Sequence, residues 1–304
     1  MNTKQPFSEE QLGLPNIELI ESSEQAFSDA FLRAIQILYR HFEQLKSSIG
    51  VNKDFTREPF NLAILGLFSK MSRHYYSYVL LEIHQDWIGS QFLIEHLSEA
   101  AITLTYLLEE VDKSIFYKYI PASIQQARYL LLDIEEQLQK FPNHLDLMIL
   151  RDKLETFIAE QQEHIGDRSF TTVLETHLWG TQEADTIAKH GTVVGLNFLT
   201  NPARRIALKV KPASWLDLQL SYLNFFTRSS RPKVQSGINF TYLRDASHLC
   251  LHATQAFLEE VLSHQGVNIP DIEGEQQLLN VLYEWFYKAH KVYQLYCARI
   301  QDRE

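Results

Sequence analysis

In the run Tyr242-Leu-Arg244-Asp245-Ala-Ser247-His248-Leu-Cys-Leu-His252, an arginine and two histidines recur every four residues. On a helix, Arg244, His248 and His252 therefore form one stripe. Two imidazoles placed this way can share a metal or move a proton, and a guanidinium beside them can hold the charge that develops on a phosphoryl group. Tyr242 stands at the head of the stripe as a candidate binding residue. The competing reading comes from the same helix. Leu243, Ala246, Cys250, Ala253 and Phe257 define its apolar face, which turns the stripe toward solvent unless another element covers it.

A second candidate is Glu99. From Phe92 to Leu108, eleven of seventeen residues are hydrophobic or tyrosine, and the ionisable groups are Glu95, His96 and Glu99 alone. Such a helix is expected at the centre of the fold. A carboxylate there either rises in pKa or finds a cationic partner, and Arg244 is the partner that would join the two candidate sites.

The third candidate is a binding surface. Between Arg204 and Lys233 the basic residues Arg204, Arg205, Lys209, Lys211, Arg228, Arg231 and Lys233 face the single acid Asp217. Trp215, Tyr222, Phe225 and Phe226 interleave them, a composition suited to a protein surface or to stacking on bases. The competing reading makes the aromatics core residues and the cations a counterweight to an acidic remainder.

Several classes are excluded or disfavoured. The net charge of -10 opposes general coating of nucleic acid or of an anionic membrane. No Gly-rich phosphate loop, GxSxG, HExxH, calcium loop or paired Glu-x-x-His occurs, so neither a cofactor nor a metal is expected. Cys250 and Cys297 lack metal or disulfide spacing and read as reduced core thiols. With no basic, apolar leader and no run of about 18 apolar residues, a soluble cytoplasmic protein is expected. The compact helical ribonucleases of the HEPN type carry an arginine followed by histidine after four to six intervening residues. Here histidine follows Arg244 after three and again after seven, a departure from that motif.

The elements that must position these residues are helices. Apolar residues recur at spacings of three and four over about Glu24 to Ser48, Glu58 to Ile83, Ile88 to Val111, Ser114 to Lys140, His144 to Ile165, Trp215 to Thr227, Phe240 to His264 and Glu275 to Ile300. Pro59 suits a first helical turn, and Phe141-Pro142-Asn143 separates two helices. The stretch 166–212, with Gly180, Gly191 and Gly195, is irregular apart from a short helical pattern over Glu183 to His190. The expected architecture is all-α: a single bundle of about eight long helices over 23–304, behind a loose N-terminal tail of 1–22.

The segments Leu93-Ile-Glu-His-Leu-Ser-Glu99-Ala-Ala-Ile-Thr-Leu-Thr-Tyr106-Leu and Tyr242 through His252 resemble a widespread bacterial family catalogued only as a domain of unknown function. Its pattern is Arg-x-x-x-Glu, an apolar run and Tyr-Leu, and later Tyr-x-x-x-Ser leading to His. Glu99, Tyr106, Ser247 and His252 fit it, whereas Glu95 stands where the arginine is expected. The resemblance spans about Phe60 to Leu262 and implies a mainly helical fold without an activity.

Two functions compete on these residues. The leading expectation is a non-enzymatic helical interaction protein. It would hold a protein or nucleic-acid partner through the basic 204–233 region, with the aromatic last helix (Tyr283, Trp285, Phe286, Tyr287) contributing. The alternative is a metal-independent ribonuclease-like enzyme of a bacterial defence or toxin system. There Arg244 would steady a phosphoryl charge, His248 or His252 would act as acid or base, and Glu99 would lie alongside.

Overall fold

The computed structural model describes residues 8–17, 23–50, 52, 55–84, 86–109, 116–165, 223–224, 229–232, 240–263 and 272–301. Seven long helices account for most of these, one fewer than the periodicity suggests: α1 (Glu24–Gly50), α2 (Pro59–Ile83), α3 (Trp87–Glu109), α4 (Phe116–Lys140), α5 (Leu145–Ile165), α6 (Phe240–Ser263) and α7 (Ile272–Gln301). The fold is all-α. The eighth expected helix, from Trp215 to Thr227, is replaced where it is described by a short antiparallel ladder. There β1 (Leu223–Asn224) pairs with β2 (Ser229–Pro232). The Leu-x-Tyr-Leu-x-Phe-Phe pattern before Ser229 reads equally well as alternating or helical, and Pro232 suits a strand at an edge. The stretch 166–212, including the pattern over Glu183 to His190, lies outside the described residues.

Local chemistry starts and stops the helices. The Ser23 hydroxyl accepts from the Ala26 amide at 3.2 Å at the head of α1. Glu58 is extended, and Pro59 opens α2 where no amide donor is needed. The Asp86 carboxylate accepts from the Gly89 amide at 3.1 Å at the head of α3. The break at Phe141-Pro142-Asn143 becomes the turn between α4 and α5.

α3 lies between α2 and α6, and α7 packs on α6 and α1. From Ala100 to Leu107 every residue of α3 is buried, as its composition anticipates. Two of its buried hydroxyls are satisfied within the helix, Ser98 donating to the Ile94 carbonyl at 2.7 Å and Thr105 to that of Ala101 at 3.0 Å, while Ser90 donates to Glu82 of α2. Aromatic rings join the layers. Phe68 of α2 stacks on Phe257 of α6 with centroids 4.4 Å apart, and Phe31 of α1 meets Trp285 of α7 edge-on at 5.6 Å. The Tyr75 hydroxyl and Ser247 share a buried hydrogen bond of 2.7 Å between α2 and α6.

Two features depart from a uniform bundle. Residues 8–17 of the expected loose tail are docked: Leu14 and Ile17 are buried, the Trp285 indole donates to the Pro15 carbonyl at 3.0 Å, and Lys288 pairs with Glu9 at 2.9 Å. α4 and α5 form a helical arm. They pack on each other around Ala127 and Ile134 and meet the main core through Ile124 and Ile158. Among the described residues no helix is long and apolar enough to cross a membrane.

Candidate functional site

The α6 stripe is divided between two surroundings. Its first part lies against α7. The Arg244 Nε donates to Asp245 Oδ1 at 2.8 Å, and Nη2 closes a second, shorter bond to the same oxygen. Nη1 lies 2.7 Å from His290 Nδ1 of α7. Guanidinium has only donors, so Nδ1 is the acceptor and the neutral His290 ring carries its proton on Nε2. His290 is only 2% exposed, and burial pushes its imidazole below the ordinary range. The Arg244 charge adds to that shift, and Asp245 opposes it.

One turn further along α6, the His248 ring stacks on the Tyr283 ring with centroids 4.3 Å apart. Its Nε2 donates to the Tyr283 carbonyl at 3.3 Å. Burial, the largest influence, drives the His248 pKa down to about 4. The bond to Tyr283 opposes this shift, and Arg244 adds to it. His248 is therefore neutral at pH 7.

His252, one turn beyond, is exposed. With Glu109 at the C-terminal end of α3 and Gln255, Glu259 and Glu260 of α6, it lines a cleft of about 460 Å³. Burial raises the Glu109 carboxyl, and His252 counters it. The three members of the stripe thus share a helix face but not a common site.

Glu99 does not meet Arg244. It is a half-exposed group of the α2–α3 surface, 39% open to solvent, 3.9 Å from Lys70 and 3.8 Å from His96. His96 in turn stacks on His74 at 5.7 Å. Glu99 is the part-buried carboxylate that its place on the helix predicts, but its cationic neighbour is Lys70 rather than Arg244: burial is complete from Ala100 to Leu107, and Glu99 sits at the margin of that run. Burial, then Lys70 and His96, lower the His74 pKa, while Glu99 raises it.

Tyr242 and Arg231 have backbones within the described residues but side chains outside them. Arg204, Arg205, Lys209, Lys211, Trp215 and Arg228 lie outside the described residues altogether. Cys250 is buried at the centre of α6, and burial raises its thiol well above the ordinary range, which leaves it unreactive. Among the described residues no group of three or more His, Cys, Asp or Glu side chains could hold a metal.

His290 is the member of the cluster that spacing along α6 could not reveal. Its signal is on α7, where Tyr283, Tyr287 and His290 follow at steps of four and three and so share a face. Chemically, the cluster is a polar clamp between two helices. Asp245 neutralises Arg244, His290 takes its remaining fork, and Tyr283 covers the His248 ring, so little is left to offer a substrate.

No protein-family model matches the chain, and neither a curated protein nor a solved structure does.

Proposed function

We propose that the protein is a non-enzymatic helical interaction protein whose docking element is the α4–α5 arm. One observation carries this reading: eight of the fourteen exposed large hydrophobic side chains among the described residues sit on the arm. Tyr129 and Leu132 of α4 are each 61% exposed, and Leu145 of α5 is 66% exposed. The eight are Tyr129, Leu130 and Leu132 of α4, Phe141 of the turn, and Leu145, Met148, Ile149 and Leu150 of α5. Apolar exposure concentrated on one helix pair supports a role for that pair in binding another molecule.

The ribonuclease-like alternative draws less support from the geometry. Its arginine is committed to Asp245 and His290, and its two histidines have different surroundings, the Tyr283 ring for His248 and the Glu109 cleft for His252. The basic stretch from Arg204 to Lys233 would add a second contact for an acidic partner.

The test is capture. Tagged protein, cross-linked in its source cells, should retain a defined protein that Tyr129→Asp and Leu132→Asp release without lowering helicity or Tm. Retention unaffected by both variants refutes the arm as docking element. RNA cleavage by the wild type that disappears in Arg244→Ala would replace the reading with the enzymatic one.

A further inference from the structure

We infer that the contact between Arg244 and His290 is an acid-sensitive latch, and that protonation of His290 opens the seam between α6 and the second half of α7 while α7 stays seated on α1.

A guanidinium has only donors to offer. Arg244 Nη1 lies 2.7 Å from His290 Nδ1, so the contact exists only while Nδ1 keeps its lone pair. A proton there turns the acceptor into a donor and sets an imidazolium against a guanidinium. His290 is 2% exposed, which leaves little water to screen the two charges from each other.

The charge that could offset this repulsion is already committed. The groups of α6 on this seam are Arg244, Asp245 and His248. Asp245 is the carboxylate among them, and its Oδ1 takes both Nε and Nη2 of Arg244. His248 adds positive charge when it protonates. It is not itself the latch, because its Nε2 donates to the Tyr283 carbonyl and goes on donating once the ring is charged.

α1 and the N-terminal segment hold α7 on another flank, since Trp285 stands about 140° round the helix from His290. There Phe31 meets Trp285 and Phe286, Phe27 meets Tyr293 and Tyr296, and the Trp285 indole donates to the Pro15 carbonyl. None of these groups takes up a proton in mild acid. The charged groups of α7 outside the seam have partners of their own: Lys288 has Glu9 and Glu284, Lys291 lies over the Tyr287 ring, and Glu275, near the start of the helix, meets His41 of α1 at 2.7 Å. Acid therefore acts on the α6 side of α7 and spares the α1 side.

Opening lets the seam take up protons that the closed form excludes, so by linkage a falling pH favours the open form. Burial and the Arg244 charge hold the closed His290 below the ordinary histidine range, which sets the response on the acid side of about pH 6.5.

The experiment is amide hydrogen exchange of the full chain at pH 7 and about pH 5, with each rate divided by that of the unstructured peptide at the same pH. Protection of residues 283–291 should fall roughly fivefold or more at the lower pH, and that of α2 and α3 by less than about twofold. His290→Asn offers an oxygen close to where Nδ1 stands but takes no proton, and should abolish the response. Arg244→Met removes the repelling cation and frees Asp245 to pair with a charged His290, and should cancel or reverse it. Circular dichroism at pH 7 shows which variant keeps its helices, and an acid response unchanged in such a variant overturns the inference. Equal loss of protection in α2, α3 and α7, which is general acid unfolding, overturns it too, as does equal protection of 283–291 at both pH values.

Discussion

At the residue scale, the α6–α7 clamp makes stability depend on pH in a defined direction. The His248 pKa is about 4 in the folded chain and near 6.5 when unfolded, so the unfolded state binds more protons between these values. The contribution is fully present above about pH 6.5 and is lost as pH falls through the folded value near 4. His290 is shifted the same way by burial and Arg244. Tm should therefore fall as pH is lowered from 6.5 to 4. His248→Phe, which keeps a ring on Tyr283 but cannot protonate, should flatten the slope; a slope unchanged in this variant would assign the effect to other groups. Spacing along α6 was enough to place Arg244 and His248 on one face, because a helix repeats every 3.6 residues. It could not show that His290, 46 residues further on, completes the cluster, since that depends on how α7 crosses α6. For the same reason the cation beside Glu99 is Lys70 of α2 and not Arg244: periodicity tells which face a residue shares, not which element lies against that face.

At the element scale, α3 is the least tolerant part of the molecule. Ala100 and Ala101 are fully buried where α3 lies between α2 and α6, and their small size sets how closely the helices approach. Ala101→Leu adds volume where packing is already dense and should cost about 1–3 kcal/mol, read as a lower urea midpoint at unchanged slope. An equal midpoint would show room beside Ala101. This helix was legible from composition alone, as only three ionisable groups occur from Phe92 to Leu108. The segment at Leu223–Asn224 was not, because a short apolar run serves a strand and a helix equally. The docked segment around Pro15 was hidden for a different reason. Its hold on Trp285 uses a backbone carbonyl, which carries no sequence signal.

At the scale of the whole molecule, the described helices differ in how much holds them. α2, α3 and α6 share one continuous core, whereas the arm meets that core through Ile124 and Ile158. Local opening follows buried contact, so amide exchange of α4 and α5 around the Phe141 turn should be fastest among the seven helices, and that of α3 and α6 slowest. Uniform protection across all seven helices would mean that the arm is as firmly seated as the core.

The meeting of Phe31 with Trp285 also bears on how the chain is made. Phe27 and Phe31 of the first helix find Tyr293, Tyr296, Trp285 and Phe286 only in the last one. At about 5–20 residues per second, a ribosome needs roughly 13–50 seconds to travel from one to the other. Phe42 meets Phe68 and Tyr75 as soon as α2 is made, but Phe27 and Phe31 emerge without their partners throughout that interval, which makes the nascent chain, more than the finished molecule, the natural client of a chaperone.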